Sequence, residues 1–468
     1  MANKKAKATS KVTHSKLTHI KASHSKSHLF SYIIKLLPLF LILIMSVVIY
    51  ELYKKYVIHP TTLKTHNIGN TQSDPKFYKC EKYDNNNPTK KGLIEAGYSK
   101  ITDKSGQWEL YIPCGYNYVE DELMEIDLNK VVGGHTKTLK IFGIDGCDRI
   151  ASKNYLWKLL VATHGRERAK HIMPLTYQVA DVDEMKLFQT EFQEKNIYIL
   201  KKNIQQKKGI KLMKGDLDHI KKVAQTDNYK VIQTYLHNPF LIHRRKVNLR
   251  IYLVIMCYPM ASYEKSLLNS HDSNSNSNSN SNSNNTVTKY YLYNEGKCIY
   301  TNKDYQSDNT DNITDEESHL TSVNLDTRIY NTHPESFQDL QKYLSYHYGR
   351  SCFTKLWNNI LELMKHTATA TQQHICQYQN INQAVRFQVF GGDIILAEED
   401  ANTVDTSKHC NIKPYLLEFN KGPSMKFLSS KDEKMKTQLY TDLFCLANVS
   451  CQEKCKKNEF MKRWIELN

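Results

Sequence analysis

Two short apolar runs, Asp393–Ala397 and Tyr415–Phe419, lie inside the stretch Arg386–Ser424 and constrain this chain more than any other feature. Each has the length and composition of a strand, and each carries an acidic residue. Alternation along Tyr415, Leu416, Leu417, Glu418, Phe419 and Asn420 turns Glu418 and Asn420 to one face, because side chains two apart in a strand point the same way. Asp393 on a neighbouring strand completes a cluster of oxygen donors. Such a set, Asp393, Glu418 and Asn420, suits Mg²⁺, which takes few protein ligands and fills its shell with phosphate oxygens and water. A capped or edge-exposed pair of acids on an ordinary hairpin is the plainer reading of these residues alone, since Glu-x-Asn in a strand is a weak signal.

Cations recur on predicted strands upstream. Lys246, Asn248 and Arg250 alternate onto one face of the β-branched run ending at Met256, so two positive charges point the same way and Arg250 can grip a phosphate in bidentate fashion. Ile197–Leu200 reads as a buried strand ending in Lys201 and Lys202. After a polar loop with Lys207, Lys208 and Gly209, Ile210–Met213 returns, which makes a hairpin with a basic tip. Backbone N–H groups and cations at such a tip are what a triphosphate needs. Helical spacing is expected twice between Asn154 and Met173, over Cys352–His366, over His374–Phe387 and over Leu439–Val449. A short hairpin between Gly92 and Asn117 is expected to open the folded part. Ser273–Asn284 is an unbroken Ser-Asn repeat that cannot bury a core, and Asn302–Asp326 reads as a second polar insertion.

The N-terminal part differs in kind. Residues 1–28 contain seven Lys, four His and no acid, the composition of a disordered basic tail. Leu29–Tyr50 is apolar apart from Lys35 and Pro38, long enough to cross a bilayer core of about 30 Å, so a single transmembrane anchor is expected over 29–50. Residues 51–91 read as a polar tether and 92–468 as the main domain, with the Ser/Asn-rich insertion near 269–288. Of the formal net charge of +16, residues 1–58 contribute ten Lys and one Glu. That bias keeps the N-terminus of the expected single-pass protein cytosolic and sends the domain outward. The moderate positive balance that remains suits a nucleotide or an acidic protein. Eleven cysteines contain no Cys-x-x-Cys pair, so buried free thiols are the default and Cys445, Cys451 and Cys455 are a weak metal or disulfide hint. Sequons occur at Asn284, Asn312 and Asn448.

Eight segments in order carry a resemblance: LYIPCGYN from Leu110, RAKHIMPLTY from Arg168, YILKK from Tyr198, KKGIKLM from Lys207, VIQTYLHNPFLI from Val231, KVNLRIYLVI from Lys246, FGGDIIL, and LLEFNKGPS. From about Gly92 to the C-terminus the chain resembles the tubulin-tyrosine-ligase-like family of ATP-grasp ligases. The resemblance implies an α+β fold, an ATP-grasp-type ligase domain with antiparallel sheets and flanking helices. It also implies ATP and Mg²⁺, and amide formation between an amino acid and a protein acceptor through an acylphosphate, with tubulin or another acidic protein as candidate acceptor. No nucleic-acid partner is expected.

By the same resemblance, Lys201, Lys208, Gly209 and Arg250 face phosphates, Gln233, Tyr235 and Leu236 border adenine, and Lys246 and Arg250 attend the reacting phosphoryl group. Two departures stand out. Lys207 occupies a place where family members often have a second glycine, and Ile299 in YLYNEGKCIY occupies the place of an Arg that holds the incoming amino acid's carboxylate, with Lys297 as the candidate substitute. A degenerate member that binds nucleotide or protein without turnover is the alternative.

Overall fold

The computed structural model describes residues 45–46, 76–79, 89, 93–94, 97–102, 108–128, 139–204, 209–261, 263, 286–306, 313, 315–321, 325–398, 410–449, 455 and 457–467. The chain divides into two compact units, Met1–Gln72 and Ser73–Asn468. Of the first, only Met45 and Ser46 are described. The expected membrane anchor is a correction. Among the described residues no helix is long and apolar enough to cross a membrane, and the expected span 29–50 lies, apart from those two residues, outside them. Membrane attachment and single-pass localisation are therefore set aside. Lys208 and the Ser-Asn repeat also lie outside the described residues.

The second unit is built on two sheets. Its large sheet is centred on two long antiparallel strands, Arg245–Pro259 and Val385–Glu398, which pair from Asn248–Ile395 to Cys257–Arg386. Thr286–Tyr293 and Lys297–Tyr300 flank the first long strand, and Ile412–Asn420 flanks the second, all antiparallel. The far edge differs from the expected antiparallel pattern. Lys140–Ile141 pairs parallel with Val385–Glu398, and Leu110–Ile112, Lys76–Lys79 and Ser99–Ile101 continue in parallel. The two strands expected to form an opening hairpin instead lie on either side of Lys76–Lys79. Part of the expected tether is thus a sheet strand, because Phe77 is wholly buried among Leu110, Ile112 and Phe142.

Alternation explains why the long strands sit between two cores. Val247, Leu249, Ile251, Leu253 and Ile255 face one core with the helices Lys153–His164, Phe337–Tyr348 and Cys352–Thr371. Tyr252, Val254 and Met256 face the other, beneath the helix Ser430–Leu446. At its start the same strand changes character on the second face, where Arg250, Asn248 and Lys246 replace apolar residues. A core face therefore becomes a polar face along one strand.

The small sheet is wholly antiparallel, in the order Thr176–Gln178, Val231–Thr234, Tyr198–Lys201, Ile210–Met213. Helices Val182–Glu191 and Leu217–Thr226 cover it, each started by an aspartate, Asp181 or Asp216, that accepts from a first-turn N–H.

One expected helix is absent. Over 374–387 the chain makes short turns, including Gln379–Ile381, and enters the strand at Val385. A buried carboxylate captures the backbone there instead. Asp145 accepts from the N–H of Gln377 and of Tyr378, the second at 2.8 Å, and pairs with Arg386 at 2.6 Å. Arg386 and Asp145 are 0% and 1% exposed. Burial favours loss of the Arg386 charge and Asp145 opposes it. Removing one partner strands the other, so Asp145→Asn is expected to cost about 3–5 kcal/mol. Chemical denaturation checks this, and a loss below about 1 kcal/mol contradicts the role assigned to the pair.

Candidate functional site

The polar face of the large sheet carries a line of charge. In the strand register Lys297 stands opposite Arg250, Arg250 opposite Asp393, and Asp393 opposite Glu418. Residues directly opposite in antiparallel strands share a face, so four charged side chains from four adjacent strands stand in one row. Arg250 clamps Asp393 through Nε at 2.7 Å and Nη2 at 3.2 Å. Asn420 donates to Asp393 Oδ2 at 3.4 Å.

Glu418 reaches this face through a β-bulge. Pairing runs Asp393 with Glu418 but Ile394 with Leu416, leaving Leu417 as an extra residue. Leu416 and Phe419 both enter the core, which an unbroken alternation forbids. A one-residue slip exchanges the faces of a strand, and the bulge makes that slip at Leu417. Without it Glu418 would share a face with buried Leu416. Gly391 clears space beside the row: a Cβ there would lie 2.8 Å from Pro423 Cβ and 3.3 Å from Arg250 Cδ. A side chain at 391 would crowd the guanidinium that lies across to Asp393.

Two lysines from outside the large sheet face the row. Lys153, the first residue of the helix Lys153–His164, lies 2.9 Å from Glu418 Oε2, and its backbone N–H donates to Asn203 Oδ1 at 3.2 Å. Lys201, at the end of its small-sheet strand, donates to Gln233 Oε1 at 2.6 Å. Gln233 in turn donates to Thr176 Oγ1 at 2.8 Å. Lys153 and Lys201 are 7% and 5% exposed.

These groups set one another's protonation. Burial pushes Lys201 down to about 8, helped by Lys153 and resisted by Glu418 and Asp393. Burial also raises Asp393 above its ordinary value, against Arg250 and with Glu418. Glu418 is pushed up by burial, but Lys153 and Lys201 more than offset this and hold it below its ordinary value. Burial disfavours the Arg250 cation, yet Asp393 holds it charged. Two carboxylates facing each other with one pushed toward protonation form a donor set that a divalent cation relieves. Asp393, Glu418 and Asn420 therefore have the oxygen chemistry for Mg²⁺, with lone pairs beyond those used by Arg250 and Lys153.

Other expected site residues lie elsewhere. Lys246 is buried against the Tyr235 ring, 4.5 Å from its centroid, and donates to the His319 carbonyl at 3.0 Å. Tyr235 Oη lies 3.0 Å from His319 Nδ1. His319 belongs to the short helix Glu316–His319, inside what reads from sequence as a polar insertion. Gln233 lies between two pairing strands, so its backbone is committed to the sheet and only its side chain reaches Lys201. The Tyr235 N–H donates to Ile197 at 3.0 Å, and half-buried Leu236 follows beyond the strand end. Gly209 accepts from the Lys202 N–H at 2.8 Å and closes the hairpin; a Cβ there would lie 2.7 Å from Lys202 Cβ. Lys297, the candidate substitute at the amino-acid pocket, is 5% exposed and lies 3.4 Å from both Glu335 and Asp432.

Sequence reasoning missed Lys153 and His319. A cation in the first turn of a helix opposes the helix dipole, and that misplacement was the available sign for Lys153. His319 carries no local sign, because its partners are far away in the chain.

The family model for the tubulin-tyrosine ligase family matches residues 137–263 and 284–458. A probable beta-tubulin polyglutamylase of Tetrahymena thermophila is 25% identical over 351 residues, 70% of this chain and 25% of that protein. The probable tubulin polyglutamylase TTLL9 of Bos taurus is 24% identical over 240 residues, 50% of this chain and 42% of that one. Tubulin polyglutamylase TTLL7 of Xenopus tropicalis is 25% identical over 302 residues, 58% and 28% respectively. The matches thus span less than half the length of these relatives. With more than half of its residues matched by the family model, this chain belongs to the tubulin-tyrosine ligase family.

Proposed function

We propose that this chain is an ATP-dependent ligase that joins an amino acid to a carboxylate of a protein acceptor. The observation that carries the reading is the row Arg250–Asp393–Glu418 with Lys153 and Lys201 facing it. Three cations against two carboxylates leave an excess of positive charge that suits a polyphosphate. The relatives named as polyglutamylases make glutamate the amino acid of first choice.

A carboxylate resists attack by an amine because oxide is a poor leaving group. Phosphorylation removes the obstacle: a carboxylate oxygen of the acceptor attacks the γ-phosphorus of ATP, ADP leaves, the amine attacks the acyl carbon, and phosphate leaves. In this reading Lys201 and Arg250 cover the charge that develops on the transferred phosphoryl group, and Lys153 keeps Glu418 ionised and in place. Asp393, Glu418 and Asn420 would hold Mg²⁺, which when bound neutralises phosphate charge. The Asn420 contact at 3.4 Å is weak enough for its amide to turn an oxygen to the cation. Lys246, buried under Tyr235, supports the strand end that borders the nucleotide rather than touching phosphate.

A second reading, a member that binds nucleotide without turnover, is favoured by one observation. Ile299 supplies no charge for an incoming carboxylate, and Lys297 is already neutralised by Glu335 and Asp432. Mg-ATP-dependent incorporation of labelled glutamate into protein separates the two. Glu418→Gln is expected to lower it about 100-fold or more. Incorporation that survives the change at full rate removes Glu418 from the site, and nucleotide binding with no incorporation of any amino acid selects the second reading.

The Lys201 charge gives a pH signature. Its lowered pKa, about 8, means that the cation is present below that pH and is lost above it. Apparent kcat/KM for ATP should therefore fall as pH rises through about 8 in the free enzyme. In Lys201→Met the value should be low throughout and this fall should vanish. An unchanged profile in the variant contradicts the phosphate role.

A further inference from the structure

Seven of the nine described cysteines are disulfide-bonded: Cys114, Cys257, Cys352, Cys376, Cys410, Cys445 and Cys455, with only Cys147 and Cys298 free. The defined pairs are Cys257–Cys376, Cys352–Cys410 and Cys445–Cys455, with Cα separations of 6.0, 5.2 and 5.5 Å. Two of them join residues 119 and 58 positions apart, so neighbours in sequence do not account for their meeting. Their positions also matter. Cys257 is on the long strand that carries Arg250, and Cys410 lies two residues before the strand that carries Glu418 and Asn420. Cys352 opens the helix Cys352–Thr371 that packs beneath those strands.

The backbone at Cys376 points the same way. Its φ of 60° is left-handed, a conformation that a non-glycine residue holds only where its surroundings demand it. The bond to Cys257 and the hydrogen bond from the Cys376 N–H to the Asp145 carbonyl at 3.2 Å supply that demand. The two free thiols are buried, and burial raises both well above the ordinary thiol value, which keeps them protonated and poor at attacking the disulfides. A set of internal crosslinks with the remaining described thiols silenced is how a domain persists under oxidising conditions, whereas reducing compartments keep such pairs open.

We propose that this ligase domain is an oxidised, disulfide-framed form that matures and works in an oxidising compartment, and that the acceptor it modifies is a protein of the secretory route or cell exterior. The acceptor half of this statement rests on the ligase reading above; the disulfide half does not. In the reduced chain the strands bearing Arg250 and Glu418 lose their crosslinks, so the site loosens as the fold weakens.

The test maps thiols in the full-length protein, alkylated during lysis of the cells that produce it, then denatured and digested without reductant. Peptides linking Cys257 to Cys376, Cys352 to Cys410 and Cys445 to Cys455 are expected, with Cys147 and Cys298 alkylated only after denaturation. Dithiothreitol should lower Tm by about 10 °C or more. Alkylation of those six residues with no linked peptides, or a Tm unmoved by dithiothreitol, overturns the proposal. A Cys352→Ser/Cys410→Ser variant that folds should lose the second linked peptide alone and part of the dithiothreitol shift. For the acceptor, the oxidised protein with Mg-ATP and labelled glutamate is offered reduced purified tubulin and, separately, proteins secreted by the same cells. Label in the secreted proteins supports the assignment, and label in tubulin alone overturns it. Label in neither, with glutamate and then with the other amino acids, overturns the ligase reading and the acceptor assignment together, while the thiol map still decides the compartment.

Discussion

A guanidinium and two carboxylates set side by side across three hydrogen-bonded strands can persist only if register holds them together and nearby charge balances them. Arg250, Asp393 and Glu418 meet because the two long strands pair without interruption from residue 248 to 257, and because one surplus residue, Leu417, turns Glu418 out of the core. Moving a single residue at that bulge would bury a carboxylate beside Leu416 and break the row, at a desolvation cost that no local contact repays. Much else follows from this constraint. Gly391 is small because Pro423 and Arg250 lie over it, and Lys153 begins a helix in spite of the helix dipole because Glu418 stands within 2.9 Å.

Charge balance gives the site its bias. Lys201, Lys153 and Arg250 are gathered by three different elements: a strand of the small sheet, the start of a helix, and the central strand. Lys201 and Lys153 are buried and Arg250 is half-buried, and burial pushes the Lys201 pKa down. The carboxylates keep Arg250 charged but leave Lys201 near neutrality of proton occupancy at mildly alkaline pH, with a pKa of about 8. The cluster is therefore prepared for incoming anionic charge: a polyphosphate would restore the full charge on Lys201, and a divalent cation would relieve the proximity of Asp393 and Glu418. The neighbouring network of Lys297, Glu335, Asp432 and Lys436 is different, since its charges are already matched and sealed.

What could be read in advance followed local periodicity. Period-two alternation placed Glu418 with Asn420 and Lys246 with Arg250, and 3.6-residue spacing found the helices at Lys153–His164 and Cys352–Thr371. Alternation cannot reveal where it is interrupted, so the bulge at Leu417 was invisible although the faces on either side of it were read separately. Contacts between distant segments were equally hidden. Asp145 captures the backbone at Gln377 and Tyr378 and prevents the helix that the pattern over 374–387 suggests, and His319 closes over Lys246 from a segment whose polar composition reads as an insertion. The cysteines were hidden for the same reason. A thiol carries no mark of its partner 58 or 119 residues away, and without a Cys-x-x-Cys pair free thiols are the ordinary expectation. The apolar stretch 29–50 satisfied the length and composition of a membrane span, yet among the described residues no helix meets that requirement.

The row on the large sheet, with the lysines facing it, is proposed to hold nucleotide and divalent cation together. Equilibrium binding of a fluorescent, non-hydrolysable ATP analogue, titrated with Mg²⁺ and again in excess chelator, tests it most directly. Mg²⁺-dependent binding is expected, weakened by at least about tenfold in chelator and to a similar extent in Asp393→Asn, a change of about 1.4 kcal/mol. Equal affinity with and without Mg²⁺, or an Asp393→Asn protein that binds like the parent, would contradict it.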